Sequence, residues 1–239
     1  IRLFALLGYG AEVMQVKVVN KGVGAKSVRI TPAIPLYGRS ADNIRDHRHV
    51  TSLLHRITTM PNGVCCKPVL SFDERGHQKN NMTYYVIGSD ENGNDPECFF
   101  PTAESFIGES GTFIAPEALA EKKKGCKAGE KIDGKEALGA MSFAEVTLES
   151  GEAKEYIIVS GMTEEVSEIT RTAEALKTKE QADQAFEEAK EYWNRLVNIS
   201  FETGNPKEDS YLKWICFQPV LRRIYGCSFL PYHDYGRGG

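Results

Sequence analysis

The chain has 239 residues, 41% hydrophobic and 26% charged, with a formal net charge of −4. That length suits one large domain or two modest ones. The negative balance argues against a nucleic-acid-binding surface, and no run approaches the ~20 apolar residues of a membrane span.

In chain order, Ile1-Arg2-Leu3-Phe4 shows neither an initiator Met nor a signal-peptide pattern and reads as the middle of a strand. The sequence is therefore expected to begin inside a longer one. Val13, Gln15, Lys17 and Val19 interleave with Met14, Val16 and Val18 in a β-rich run that closes at the turn Asn20-Lys21-Gly22. Further strands are expected within 27–34, 64–70, 83–87, 140–148 and 155–159, with a turn at Asp90-Glu91-Asn92-Gly93-Asn94. Short strands without long helices between them predict a large antiparallel β-sandwich over residues 1–160. The basic run Lys122-Lys123-Lys124, between Glu121 and Gly125, reads as a solvated loop. Six scattered cysteines, at 65, 66, 98, 126, 216 and 227, show no C-x-x-C spacing. In a chain of this size they suit reduced thiols and a cytoplasmic location.

After Gly161 the period changes. Thr178-x-x-Gln181 has the form of a capping box, and Ala182, Ala185, Phe186, Ala189, Trp193 and Leu196 follow at helical spacing. A helical linker is expected over residues 161–205. Asn205-Pro206-Lys207-Glu208 then supplies an N-cap, a proline at the first helical position and an acid at the third. Tyr211, Leu212 and Ile215 continue that helix, which Pro219 is expected to kink or end.

Three stretches are richer in polar function than loops require. The first, LYGRSADNIRDHRHVTS (36–52), holds His47 and His49 at the His-x-His spacing of a metal pair. Its arginines, aspartates and tyrosine suit hydroxyl and carboxylate recognition better than zinc, and no metal is expected. The second, FFPTAESFIGESGTF (99–113), could line a sugar groove or pack its aromatics inside the fold. Glu104, Glu109 and Glu117 lie in or just beyond it, and which of them meet in space is left open. The third, LRRIYGCSFLPYHDYGRGG (221–239), places Arg222 and Arg223 at a helix C-terminus, where basic side chains suit the negative pole.

That third stretch resembles the entry to the catalytic domain of inverting glycoside phosphorylases typified by cellobiose phosphorylase, glycoside hydrolase family 94. IPLYGRSADNIRDHRHVTSLLHR (34–56), LSFDERGH (70–77) and FPTAESFIGESGTF (100–113) are similar to members acting on longer β-glucans, such as β-1,2-oligoglucan phosphorylases. The resemblance covers nearly the whole chain. It implies a mainly β fold with C-terminal helices: a β-sandwich, a helical linker and, from residue 206, the start of an (α/α)6 barrel cut short at residue 239.

The implied reaction is reversible phosphorolysis of a terminal β-glucosidic bond, with inorganic phosphate as co-substrate, no cofactor, and release of α-glucose 1-phosphate with inversion. The general acid, an Asp, is expected beyond residue 239, so no catalytic residue is assigned within the chain. Arg223 matches the family's arginine near the glucosyl subsite. Arg237, offset by one residue from cellobiose phosphorylase, matches the glycine-flanked arginine beside that subsite and the phosphate. The resemblance also implies a homodimer in which Arg39, Asp42 and Arg45 lie at an active-site entrance; a local salt-bridge network is the alternative for these three. Two other classes stay open: a non-catalytic carbohydrate-binding or assembly module, and a sandwich-barrel glycoside hydrolase.

Overall fold

The longest strand, β14 (Ala153–Thr163), pairs antiparallel with β2 (Ala11–Val19) on one side and β9 (Thr83–Asp90) on the other. The computed structural model describes residues 1–37, 51–73, 76–221, 231–232 and 235–236. Around β14 it builds a seven-stranded antiparallel sheet. Its remaining members are β1 (Arg2–Ala5), β5 (Arg56–Met60), β6 (Gly63–Cys66) and β11 (Lys131–Asp133), in the order β1-β2-β14-β9-β6-β5-β11. A second, three-stranded sheet has the order β10-β12-β4, with β4 (Ala33–Leu36), β10 (Cys98–Thr102) and β12 (Ala137–Ser142) again antiparallel. Shorter pairs join β3 (Lys26–Val28) to β13 (Val146–Leu148), β7 (Leu70–Asp73) to β8 (Gly76–Lys79), and β15 (Pro231–Tyr232) to β16 (Tyr235–Gly236).

Strand alternation sends neighbouring residues of the large sheet to opposite faces. Val64, Cys66, Val86, Tyr156 and Ile158 meet Phe99, Ala137 and Met141 of the small sheet, forming the sandwich core. The intervening Tyr85, Ile87, Ile157 and Val159 instead pack against Ile169, Leu176 and Ala182 of the helical segment, which contains α3 (Val166–Ala175) and α4 (Lys179–Leu196). The outer face of the small sheet is covered in turn. Leu138 and Ala140 pack with Phe106 of α1 (Ala103–Ile107) and Ala118 of α2 (Glu117–Ala120). The layers therefore run helix, large sheet, small sheet, short helices.

At Gly139 the two sheets press close, and a Cβ there would fall 2.4 Å from the Cβ of Val86. Only a residue without a side chain fits between the layers there.

Prolines divide two of the expected strands. The run 27–34 becomes β3 and β4, which pair with different partners. Pro32, between them, has no N–H to donate, although its carbonyl still accepts from Met141 N at 3.2 Å. The run 64–70 likewise stops at Cys66, ahead of Pro68. Strands β5, β8, β10 and β11 lie outside the expected set, as do the short helices α1 and α2, whereas α3 falls within the expected helical linker.

The chain divides into two compact units, Ile1–Phe186 and Glu187–Gly239. The segment expected as linker is shared between them: α3 and the first half of α4 belong to the first unit. The expected capping box is present, with Thr178 N donating to Gln181 Oε1 at 3.0 Å and Gln181 N to Thr178 Oγ1 at 3.5 Å. Phe186 meets Phe4 edge-on at 5.5 Å between ring centroids. Within the second unit, Trp193 packs on Phe217 at 6.1 Å, and Lys213 donates to Asn194 Oδ1 at 2.9 Å. Here α5 (Pro206–Leu221) begins as expected, with Lys207 N donating to Asn205 Oδ1 at 3.1 Å. Pro219 does not end it: the helix runs through Pro219 to Leu221, the last residue described before 231, and the proline leaves its backbone without an N–H to donate.

Replacing Gly139 by Ala is expected to lower unfolding stability by about 1–3 kcal/mol, the usual cost of overpacking a filled core. The urea midpoint measures this, and an unchanged midpoint would mean that the sheets can separate to admit the methyl group.

Candidate functional site

The first polar stretch leaves the small sheet at the end of β4 and returns at β5, so its position depends on the residues that fasten its two ends. Thr51 and Ser52 open a turn in which Leu54 N and His55 N donate to their carbonyls at 3.1 and 3.0 Å. His55 is 2% exposed. Its Nε2 lies 3.1 Å from the Tyr37 carbonyl, at the outgoing end of the stretch, and its Nδ1 lies 3.1 Å from the Lys135 carbonyl. Gly134 N donates back to the His55 carbonyl at 3.0 Å. One imidazole thus ties β4, β5 and the β11–β12 turn together.

A neutral imidazole has a single N–H, so one carbonyl receives a donor and the other faces a ring lone pair. Protonation would satisfy both. Burial nevertheless pushes the His55 imidazole below its ordinary value, against the opposing pull of the Tyr37 and Lys135 carbonyls and of Glu136.

Arg39, Asp42 and Arg45, together with His47 and His49, lie outside the described residues, and so do Arg223 and Arg237. His55, which sequence reasoning quoted within a longer motif but did not single out, is the residue that fixes the base of the stretch. Its only sequence signal is its place immediately before a strand.

In the second stretch Phe99, Phe100 and Phe106 are packed inside the fold, whereas Phe113 is exposed. Phe99 and Phe100 sit buried in β10, and Phe100 meets Phe106 of α1 at 5.8 Å between centroids. Thr102 and Ser105 cap α1 reciprocally. The glutamates serve different partners. Lys135 donates to Glu104 at 2.6 Å, whereas Glu117 accepts from Ser110 N at 2.7 Å, Ser110 Oγ at 2.6 Å and Lys123 Nζ at 2.9 Å. Led by the Ser110 hydroxyl and Lys123, these donors hold the Glu117 carboxyl down at about 2. A carboxyl so acidic has no proton to give near neutral pH, so Glu117 serves the loop rather than acid catalysis.

Among the described residues, hollows open on the first unit. One, of about 410 Å³, lies between α3 and the large sheet and is lined by Met60, Asn62, Ile87, Val166 and Lys177 among others. Beside it the expected 90–94 turn is fixed by Asp90, which accepts from Asn92 N and Asn94 N at 2.9 Å and pairs with Lys154 at 3.0 Å. Burial opposes ionisation of Asp90, but the hydrogen bonds from Asn94, Lys154 and Asn92 prevail and hold its carboxyl below the ordinary value. Another, about 720 Å³, lies on the outer face of the small sheet beside α2.

Among the described residues no group of three or more His, Cys, Asp or Glu side chains could hold a metal ion, and no helix is long and apolar enough to cross a membrane. Cys65, Cys66, Cys98, Cys126 and Cys216 are free thiols. Cys66 is pushed up to about 12 by burial, with the neighbouring Cys65 adding to the shift.

A family model, the supersandwich domain of glycosyl hydrolase 94, matches residues 1–179. The chain belongs to this family. The matched segment contains every layer of the supersandwich, from β1 through α3. No curated protein matches the chain.

Because the folded state keeps His55 neutral, the unfolded chain binds more protons below the ordinary value of 6.5. Stability contributed by this group is therefore present above that value and lost as pH falls through it. The urea midpoint should drop between about pH 7 and about pH 5.5, and His55→Gln should flatten that decline while lowering the midpoint at the upper end. A variant with an unaltered slope would show that other groups set the pH dependence.

Proposed function

We propose that the chain is part of an inverting glycoside phosphorylase, in which inorganic phosphate cleaves the terminal β-glucosidic bond of a β-glucan or β-glucooligosaccharide and releases α-glucose 1-phosphate. The observation that carries this reading is membership of glycosyl hydrolase 94 over residues 1–179, joined in the same chain to the tail LRRIYGCSFLPYHDYGRGG. The exposed apolar face of α5 adds support. Tyr211 and Trp214 are 63% and 53% exposed, an arrangement suited to a helix that packs against further helices, as the first helix of an (α/α)6 barrel would.

Phosphate is already an anionic nucleophile. Attack on the anomeric carbon from the face opposite the leaving group inverts the configuration without a protein base, while one carboxylic acid protonates the departing oxygen. In this reading Arg223 holds glucosyl hydroxyls. Arg237, between glycines that let the backbone approach, holds the glucosyl unit and phosphate through its planar fork. Arg39, Asp42 and Arg45 shape the acceptor side of the entrance in a cytoplasmic homodimer. The sandwich, with the two ends of the stretch clamped at His55, is the kind of scaffold on which such a loop can act.

Phosphate-dependent release of glucose 1-phosphate from β-glucans by the enzyme containing this chain is the expected result. Glucose released at the same rate without phosphate would replace the proposal with a hydrolase. In that enzyme Arg237→Lys is expected to lose about 2–3 kcal/mol of transition-state stabilisation in kcat/KM for phosphate, because lysine keeps the charge but not the bidentate geometry. Normal phosphate kinetics in the variant would assign the role to another arginine.

A further inference from the structure

The 720 Å³ cleft beside α2 has a charge opposite in sign to that of the chain. Five cations line it, Arg29, Lys122, Lys123, Lys124 and Lys127, against two carboxylates, Glu97 and Glu145. The chain as a whole carries −4. Two of the cations are held by acids: Arg29 donates to Glu97 at 2.7 Å, and Lys123 pairs with Glu117 at 2.9 Å and Glu121 at 3.2 Å. Lys127 donates at 2.9 Å to the carbonyl of Glu97, a neutral acceptor that leaves its charge uncompensated. Lys122 and Lys124 have no carboxylate partner among the described residues.

The backbone presents these lysines at a cost. Lys122 has φ 51°, the one non-glycine position in the left-handed region among the described residues. The turn that ends α2 holds it there, through Lys122 N to Leu119 O at 3.3 Å and Lys123 N to Ala118 O at 2.9 Å. A residue kept in that region is strained locally, and glycine would relieve the strain. Phe100 and Ala118, both buried, form part of an apolar floor beneath the cations.

We infer that this cleft binds a phosphate-bearing anion. A phosphomonoester carries about −1.5 to −2 charge near neutral pH and three acceptor oxygens, which suits several lysine point charges converging from one side. The apolar floor and the volume admit an organic body larger than phosphate itself. The inference rests on charge and shape in the supersandwich and does not require the phosphorolytic reading.

The test is calorimetric titration of the chain with glucose 1-phosphate, inorganic phosphate and glucose at constant ionic strength. Glucose 1-phosphate is expected to bind and glucose not to. The double variant Lys122→Gln, Lys124→Gln should weaken binding about tenfold or more, as loss of two charge-assisted contacts implies, with an unchanged urea midpoint. Glu145→Gln should tighten it about two- to fivefold by removing a like charge. Arg237→Ala should leave it intact, which separates this cleft from the proposed active site. Inorganic phosphate binding as tightly as the ester would identify the ligand as free phosphate. No binding, or binding indifferent to the lysine substitutions, would overturn the inference.

Discussion

The central strands β9 and β14 are buried on both faces along 85–90 and 156–159, so cover must arrive from both sides. Most of the surrounding organisation answers that requirement. The small sheet covers Val86, Tyr156 and Ile158, and the helical segment covers Tyr85, Ile87, Ile157 and Val159. Each large apolar side chain fully buried in this way is worth about 1.5–3 kcal/mol, so neither cover is dispensable. The same demand fixes register, since a one-residue slip of β14 would exchange its two sets of contacts. It also explains why α3 belongs with the sheets although it follows them in sequence.

How much of this is legible beforehand depends on the strand. The run at 11–19 alternates clearly because β2 lies toward one side of the sheet, and Asp90-Glu91-Asn92-Gly93-Asn94 announces its turn through residues that cap their own backbone. Strands β5 and β10 are harder to read. In β10, Phe99 and Phe100 are adjacent apolar residues serving different layers, which removes the alternation from the sequence. The same pairing of aromatics imitates a ligand-facing groove, and only the layer order assigns each ring to a core. The capping residues Thr178, Gln181 and Asn205 were legible because their chemistry is local.

The candidate site divides along the same line. The polar stretches stand out by composition, but what fastens the first of them does not. His55 works through the carbonyls of Tyr37 and Lys135, distant in sequence and anonymous as backbone atoms, so no residue pattern could have named its partners. The basic run at 122–124 presents the opposite case. It is obvious in sequence and reads as solvated. Its neighbours across the outer sheet, Arg29 and Lys127, give it a shared field that no linear window contains.

The adjacent cysteines at 65 and 66 carry a last consequence of the two-faced sheet. Cys66 faces the sandwich core and Cys65 the helical side, one peptide bond apart. Burial raises both thiols, but Cys65 is only partly buried, whereas an alkylating reagent reaches the buried Cys66 only when the sandwich breathes. The pair is in effect a built-in clock with two hands. With partly exposed Cys65 as the reference on the same strand, the labelling rate of Cys66 reports how often the sheets part from one another.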